Sequence, residues 1–284
     1  MSVKPAPFAY AKARSVEDAI KLLCEHGDGA KLLAGGQSLM ATLNMRLSQP
    51  NILIDLNGIP GLDGIALNGG DVAIGALVRH AAAAKSDVIA KHAPLVALAL
   101  PHIGHPAIRN RGTIGGSIAF ADPAAELPAC FLALGGEAEI AGRNGARRVK
   151  ADDFFRGLYE TAIGPDEILT VIRLPSATPD MRFGFAELSR RHGDYALTGL
   201  AASARAEGAS LKDVRLAYFG VGLTPIRANG AEAALAAGKF DDAVAALAFD
   251  LDPPDDIQET GAVKRHLAGV LLRRVATQLR GARA

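Results

Sequence analysis

The residues with the clearest chemical capacity in this chain lie in two glycine-rich segments. The first, Ala34-Gly35-Gly36-Gln37-Ser38-Leu39, follows the short apolar run Lys31-Leu32-Leu33 and precedes a helical pattern. Glycines let backbone N–H groups crowd around an anion, and the start of the next helix adds unpaired N–H groups and a positive dipole end. Such a turn suits a pyrophosphate, although an ordinary strand-to-helix turn with Ser38 as N-cap would use the same residues. It is not a Walker motif, because no Gly-Lys-Ser/Thr follows, and Met40 replaces the last glycine of a hydrolase elbow.

The second segment runs Arg109-Asn110-Arg111-Gly112-Thr113-Ile114-Gly115-Gly116-Ser117. Its hydroxyls and amides can bond phosphate oxygens, and its two arginines can add charge-assisted pairs. Two such loops suggest a dinucleotide. A Rossmann site is unsupported, since Gly220-Val221-Gly222 is followed by Pro225 where the third glycine belongs. A third segment, Ser189-Arg190-Arg191-His192-Gly193-Asp194-Tyr195-Ala196, reads as a polar loop between strands, with Tyr195 and the arginines also able to serve an aromatic redox ring. His102 and His105 form an H-x-x-H pair that no nearby carboxylate or cysteine completes into a metal set. No nucleophile–base pair or carboxylate dyad stands out.

The composition narrows the classes. The chain has 284 residues and a net charge of +1, from 31 basic and 30 acidic side chains, which leaves no basic excess for nucleic acid. Aromatic residues make up 5%, with no Trp, too few for a base-stacking groove. The two cysteines, Cys24 and Cys130, cannot ligate an iron–sulfur cluster, which normally takes four, and they argue for a reducing, cytoplasmic compartment. The most apolar stretch, 93–103, is short and broken by Pro94 and Pro101, so no membrane span is expected.

These segments must be held by a mixed body. Ser15 and Gly27 bracket a helix carrying Val16, Ala19, Ile20, Leu23 and Cys24. A strand over 31–34, a helix from Ser38 through Leu47, and a strand over 52–56 complete a βαβ arrangement. Further strands are expected over 71–76, 137–140 and 167–174, with one or two helices over 81–99 and one over 123–134. Pro175 and Pro179 mark a domain boundary. Beyond it, strands over 182–190, 196–206 and 214–221 precede helices over 231–237 and 263–275, the last with Lys264, Arg265, Arg273 and Arg274 on a solvated basic face. The fold class is α+β, with domains over 1–177 (divided near 57) and 178–284.

Four motifs in order now carry a resemblance: Leu33-Ala34-Gly35-Gly36-Gln37-Ser38-Leu39; Gly112-Thr113-Ile114-Gly115-Gly116; Ala121-Asp122-Pro123-Ala124-Ala125-Glu126-Leu127-Pro128; and Arg191-His192-Gly193-Asp194-Tyr195-Ala196. With them the chain resembles the FAD-binding medium subunits of molybdenum hydroxylases, a family that includes carbon monoxide, xanthine and N-heterocycle dehydrogenases. The resemblance runs from Phe8 to Arg274. It implies an FAD-binding domain of two α+β subdomains followed by a small C-terminal domain of antiparallel sheet plus helices.

By position it also implies that FAD lies against Leu32, Leu33, Ala34, Gly35, Gly36, Gln37, Ser38 and Leu39, and against Thr113, Ile114, Gly115, Gly116 and Ser117, where many relatives carry Asn or Asp instead of the serine. Ile103, Asp122, Glu126 and Ile168 match further cofactor positions, and Tyr195 an aromatic one close to the isoalloxazine. The implied role is electron transfer. A large subunit carries the molybdenum cofactor, a small one carries iron–sulfur clusters, and this chain passes electrons to an external acceptor. A self-sufficient FAD oxidoreductase and a non-catalytic scaffold subunit are the other readings.

Overall fold

The computed structural model describes residues 4–281. Its first layer is a three-stranded parallel sheet, β1 (Ala9–Lys12), β2 (Ala30–Leu33) and β3 (Ile52–Asp55), in the order β1-β3-β2. Helix α1 (Val16–His26) links β1 to β2 and begins as the sequence dictates: the Ser15 hydroxyl accepts from the Asp18 N–H at 3.1 Å, and Gly27 closes the last turn at φ +49°. Helix α2 (Leu39–Asn44) is shorter than expected. Arg46 adopts φ +56° and the Leu47 N–H turns back to the Thr42 carbonyl, so Leu47 ends 74% exposed instead of on a helix stripe. Ser38 makes no side-chain cap.

The second layer is a five-stranded antiparallel sheet in the order β4-β5-β10-β6-β7. Its members are β4 (Ile65–Asn68), β5 (Asp71–Gly75), β6 (Glu137–Gly142), β7 (Gly145–Lys150) and β10 (Ile168–Pro175), with β8 (Phe155–Gly157) and β9 (Glu160–Thr161) as a separate hairpin. Six helices intervene between β5 and β6: α3 (His80–Ala83), α4 (Asp87–His92), α5 (Pro94–Ala99), α6 (Pro106–Arg109), α7 (Ile114–Phe120) and α8 (Glu126–Ala133). The stretch 81–99 is therefore three short helices, because the Ser86 hydroxyl caps α4 and Pro94 opens α5. Helix α8 begins at Glu126, not at Pro123, since Asp122 first accepts the Ala124 and Ala125 N–H groups in a turn.

The C-terminal sheet is antiparallel, in the order β11-β12-β13-β14: β11 (Met181–Leu188), β12 (Thr198–Glu207), β13 (Ser210–Phe219) and β14 (Ile226–Arg227). Strand alternation sends its residues two ways. Phe185, Ala201, Ala217 and Phe219 join the core of the five-stranded layer and its helices. Leu200, Ala202, Leu216 and Tyr218 face α9 (Asn229–Ala236), α10 (Phe240–Asp250) and α11 (Gly261–Leu279). The α+β class is as expected, but this sheet is buried on both sides. Lys264 departs from the expected solvated face: it is 4% exposed and its ammonium donates to Asp256 at 2.6 Å, closing the 252–260 segment onto α11.

Candidate functional site

The two glycine segments, 70 and more residues apart in sequence, meet backbone to backbone. A Cβ on Gly35 would lie 2.4 Å from the Arg111 carbonyl oxygen and 2.8 Å from the Gly112 Cα, so only glycine fits. Gly36 sits at φ +72°, with Leu33 and Met40 packed beneath it. From Gly35 through Ser38 no backbone N–H donates to another group among the described residues. Four successive open amides after a strand form a concave donor surface, the arrangement that binds phosphate oxygens.

The second segment is different from what its glycines suggest. Residues 114–117 are the first turn of α7, and their amides are already paired: Ile114 to the Val78 carbonyl, Gly115 to Ala76, Gly116 to the Thr113 hydroxyl and Ser117 to the Thr113 carbonyl. Gly115 is glycine for packing, since a Cβ there would sit 2.4 Å from the Cβ of Ala76. Arg109 is also engaged, donating to the carbonyls of Ile103 (3.0 Å) and Gly104 (2.7 Å). The segment thus supplies a wall with Ser117 half-exposed; of its amides only that of the buried Thr113 has no acceptor among the described residues, and the run of open amides belongs to the first loop.

A polar clamp that sequence reading missed fixes the two loops together. The Asn57 amide donates to the Ala34 carbonyl at 2.8 Å and to Asp55 at 2.6 Å, while its oxygen accepts from Arg79 at 2.5 Å. Arg79 donates as well to the Arg111 carbonyl, and the Tyr10 hydroxyl to Asp55. Hydrogen bonds from Tyr10 and Asn57 outweigh the burial that opposes them, holding the Asp55 carboxyl below its ordinary range. Beside the clamp His80 is buried, and neither ring nitrogen has a hydrogen-bond partner among the described residues. Burial pushes its pKa down to about 4, so the ring is neutral at pH 7. The signal in sequence was slight: Asn57-Gly58 after a buried strand reads as an ordinary turn.

A second cluster gathers the acidic motif and the third loop. Asp122 lies beside the Tyr195 hydroxyl, and burial raises its carboxyl. Burial likewise pushes Glu126 up to about 7, with the charges of Glu187 and Asp122 adding to the rise. The Tyr195 ring is 59% exposed, yet its shielded hydroxyl end, facing Asp122, is pushed up to about 12. Gly193 abuts the His105 ring and Gly104, which docks the third loop against the 102–105 turn. His102 forms an ion pair with Glu187 at 3.2 Å, not a metal pair with His105. Among the described residues no group of three or more His, Cys, Asp and Glu is placed to hold a metal. The carboxylates of Asp122, Glu126 and Glu187 come together only through folding.

The remaining expected positions divide. Ile103, 8% exposed, follows His102 directly and so lies at this second cluster. Leu32 and Leu33 are half-buried under the first loop, Gln37 is exposed and folds its amide onto the Gly35 carbonyl at 3.1 Å, and Leu39 opens α2. Ile168, 1% exposed, packs into the core of the three-stranded subdomain, where its side chain is enclosed.

An open-amide loop locked to a glycine-lined wall, with an acidic and aromatic cluster on the same body, defines a class of nucleotide-cofactor protein. Residues 6–177 match the FAD binding domain in molybdopterin dehydrogenase, and residues 183–279 match the CO dehydrogenase flavoprotein C-terminal domain. The chain belongs to the FAD-binding medium-chain flavoproteins of the molybdenum hydroxylases, and it is an oxidoreductase subunit. It is 42% identical over 231 residues to the 6-hydroxypseudooxynicotine dehydrogenase complex subunit alpha of Paenarthrobacter nicotinovorans, covering 81% of this chain and 78% of that one. It is 35% identical to the carbon monoxide dehydrogenase medium chain of Hydrogenophaga pseudoflava, covering 95% and 96%. A solved carbon monoxide dehydrogenase from Hydrogenophaga pseudoflava superposes with a TM-score of 0.95 at 36% identity, covering 99% of each chain.

Proposed function

We propose that this chain carries one FAD and acts as the electron-transfer subunit of a molybdenum-dependent hydroxylase, taking electrons from the iron–sulfur clusters of a small partner subunit and passing them to an external acceptor. The observation that carries the reading is the run of four open amides from Gly35 to Ser38, held rigid by the Asn57 clamp. That surface fits a pyrophosphate, with the hydroxyls of Ser38 and Ser117 at its margins. Leu32, Leu33, Ala34, Gln37, Leu39, Thr113, Ile114, Gly115 and Gly116 form its floor and wall. Ile103, Asp122, Glu126 and Tyr195 are assigned to the ring end, where Tyr195 presents an exposed aromatic face and Asp122 orients its hydroxyl. Ile168 is assigned to the site as an apolar contact by position alone, its side chain enclosed in the core of the three-stranded subdomain.

The cofactor supplies the ability to accept electrons singly or in pairs; the protein positions the ring, shields part of it and sets the charge nearby. Two free cysteines, Cys24 half-buried and Cys130 buried, cannot ligate a cluster, so the clusters and the molybdenum site belong to partners. No helix among the described residues is long and apolar enough to cross a membrane, and the reading places the complex in the cytoplasm. The test is flavin extraction and metal analysis of the purified chain beside Gly36→Val. The expected result is one FAD per chain, no stoichiometric iron or molybdenum, and loss of flavin in the folded variant. Full flavin occupancy in Gly36→Val, or steady oxidation of an organic substrate without partners, would overturn the proposal.

A further inference from the structure

His102 and Glu187 join two parts of the fold at the ring end of the site. His102 closes a single 3-10 turn after α5, immediately before Ile103, and Glu187 stands near the end of β11 in the C-terminal sheet. The His102 Nδ1 lies 3.2 Å from the Glu187 Oε1, and the Glu187 side chain is only 5% exposed. Its second oxygen, Oε2, is buried without a hydrogen-bond partner among the described residues. The His102 ring packs 5.0 Å from Phe185 and 6.2 Å from His192, three residues before Tyr195. The other titratable groups facing the pair are His192 from the loop after β11, and Glu126, Cys130 and, through Glu126, Asp122 from α8 and the turn before it.

This is a poor arrangement for stability. A buried ion pair seldom returns its desolvation cost, and an unsatisfied carboxylate oxygen adds to that cost. Three carboxyl groups share one histidine, and the net charge of the cluster changes by one unit with the proton on His102 and by another with that on Glu126, whose carboxyl is pushed up to about 7. Burial keeps that change weakly screened and effective at a distance.

We propose that His102 and Glu187 are a positioning pair that sets the charge beside the flavin ring and the pH dependence of flavin reduction. The inference rests on the FAD reading above. With Glu187 ionised, the pair is neutral when His102 carries its proton and negative when it does not. Electrons are harder to add next to the negative form. Removing Glu187 makes the pair one unit more positive wherever His102 keeps its parent protonation, and leaves the charge unchanged between the lowered and the parent His102 titrations, whereas removing the His102 proton site leaves it negative throughout.

The experiment uses the full chain as parent, Glu187→Gln, Glu187→Asp and His102→Gln. Flavin content is measured first, the His102 imidazole titration is followed by NMR in the cofactor-free chain, and the flavin midpoint potential is recorded from about pH 5.5 to 8.5. The parent should show a break in potential at the pH where His102 titrates. Glu187→Gln should lower the titration of His102, retain FAD and shift the potential positive. Glu187→Asp should restore part of the parent behaviour, and His102→Gln should remove the break that follows the imidazole titration, leaving only a step from Glu126 near 7, and shift the potential negative at acid pH. Absence of FAD from the parent sinks the FAD reading and the inference with it. Normal FAD content with unchanged potentials, or with both Gln variants moving the potential the same way, sinks the inference alone.

Discussion

Replacing Glu126 by Gln should stabilise the cofactor-free protein above pH 7 and leave it nearly unchanged near pH 4. The carboxyl is pushed from 4.5 to about 7, chiefly by burial at the start of α8. The folded state therefore keeps a proton that the unfolded chain releases between those values. Stability that is full below 4.5 falls as pH rises through the window and levels off above 7. Each tenfold change in proton affinity is worth about 1.4 kcal/mol, so the ionised form is penalised by about 3 kcal/mol at pH 8, shared in part with the neighbouring Asp122. Glutamine has the same shape and no charge to desolvate. His102, whose raised pKa likewise gives stability lost as pH rises, remains in both proteins, and because Glu126 contributes to that rise the difference reads Glu126 together with its coupling to His102. Urea unfolding of both proteins at pH 4, 5, 6, 7 and 8 reads the effect. A variant no more stable than the parent at pH 8, or a parent whose stability does not fall faster than the variant's between pH 5 and 7, would refute the reasoning.

Two further outcomes are expected. Asn57→Ala should lower stability by about 1–3 kcal/mol, the usual penalty for orphaning buried partners, because it leaves the Ala34 carbonyl and the Arg79 guanidinium short of a partner; flavin titration should show weaker FAD binding alongside the lower urea midpoint. Tyr195→Ala should retain FAD, since in the proposed arrangement the residue meets the ring and not the pyrophosphate, while changing the flavin spectrum and potential; an unchanged spectrum and potential with FAD bound would return the third loop to a simple connection.

The ordering of glycines, hydroxyls and acidic residues along the chain was enough to indicate a nucleotide cofactor and the family. Local rules placed α1, from its Ser15 cap to the glycine at position 27, and the buried strand over 52–55, because those features depend on neighbours within a few residues. The same rules misjudged α2 and α8. At one the chain turns back through a left-handed Arg46, and at the other an Asp122 turn takes the first three residues. The start of α7 looked like a second open loop, since nothing local shows that the chain just after β5 would take up the amides of Ile114 and Gly115.

What the sequence determined by itself, then, is the set of groups available: one glycine run able to present free amides, one tyrosine loop, two cysteines too few for a cluster, and a charge balance with no basic excess for nucleic acid. Tertiary structure alone decided which of them act together. Hydrogen bonds between residues 22 and more positions apart made Asn57 and Arg79 a clamp, and the close approach of Gly35 to Arg111 joined the two loops. Packing of the C-terminal sheet against α5 and α8 brought Glu187 to His102 and Glu126. Burial then changed the protonation of groups whose residue types give no hint of it, because desolvation is a property of the surrounding fold and not of the side chain.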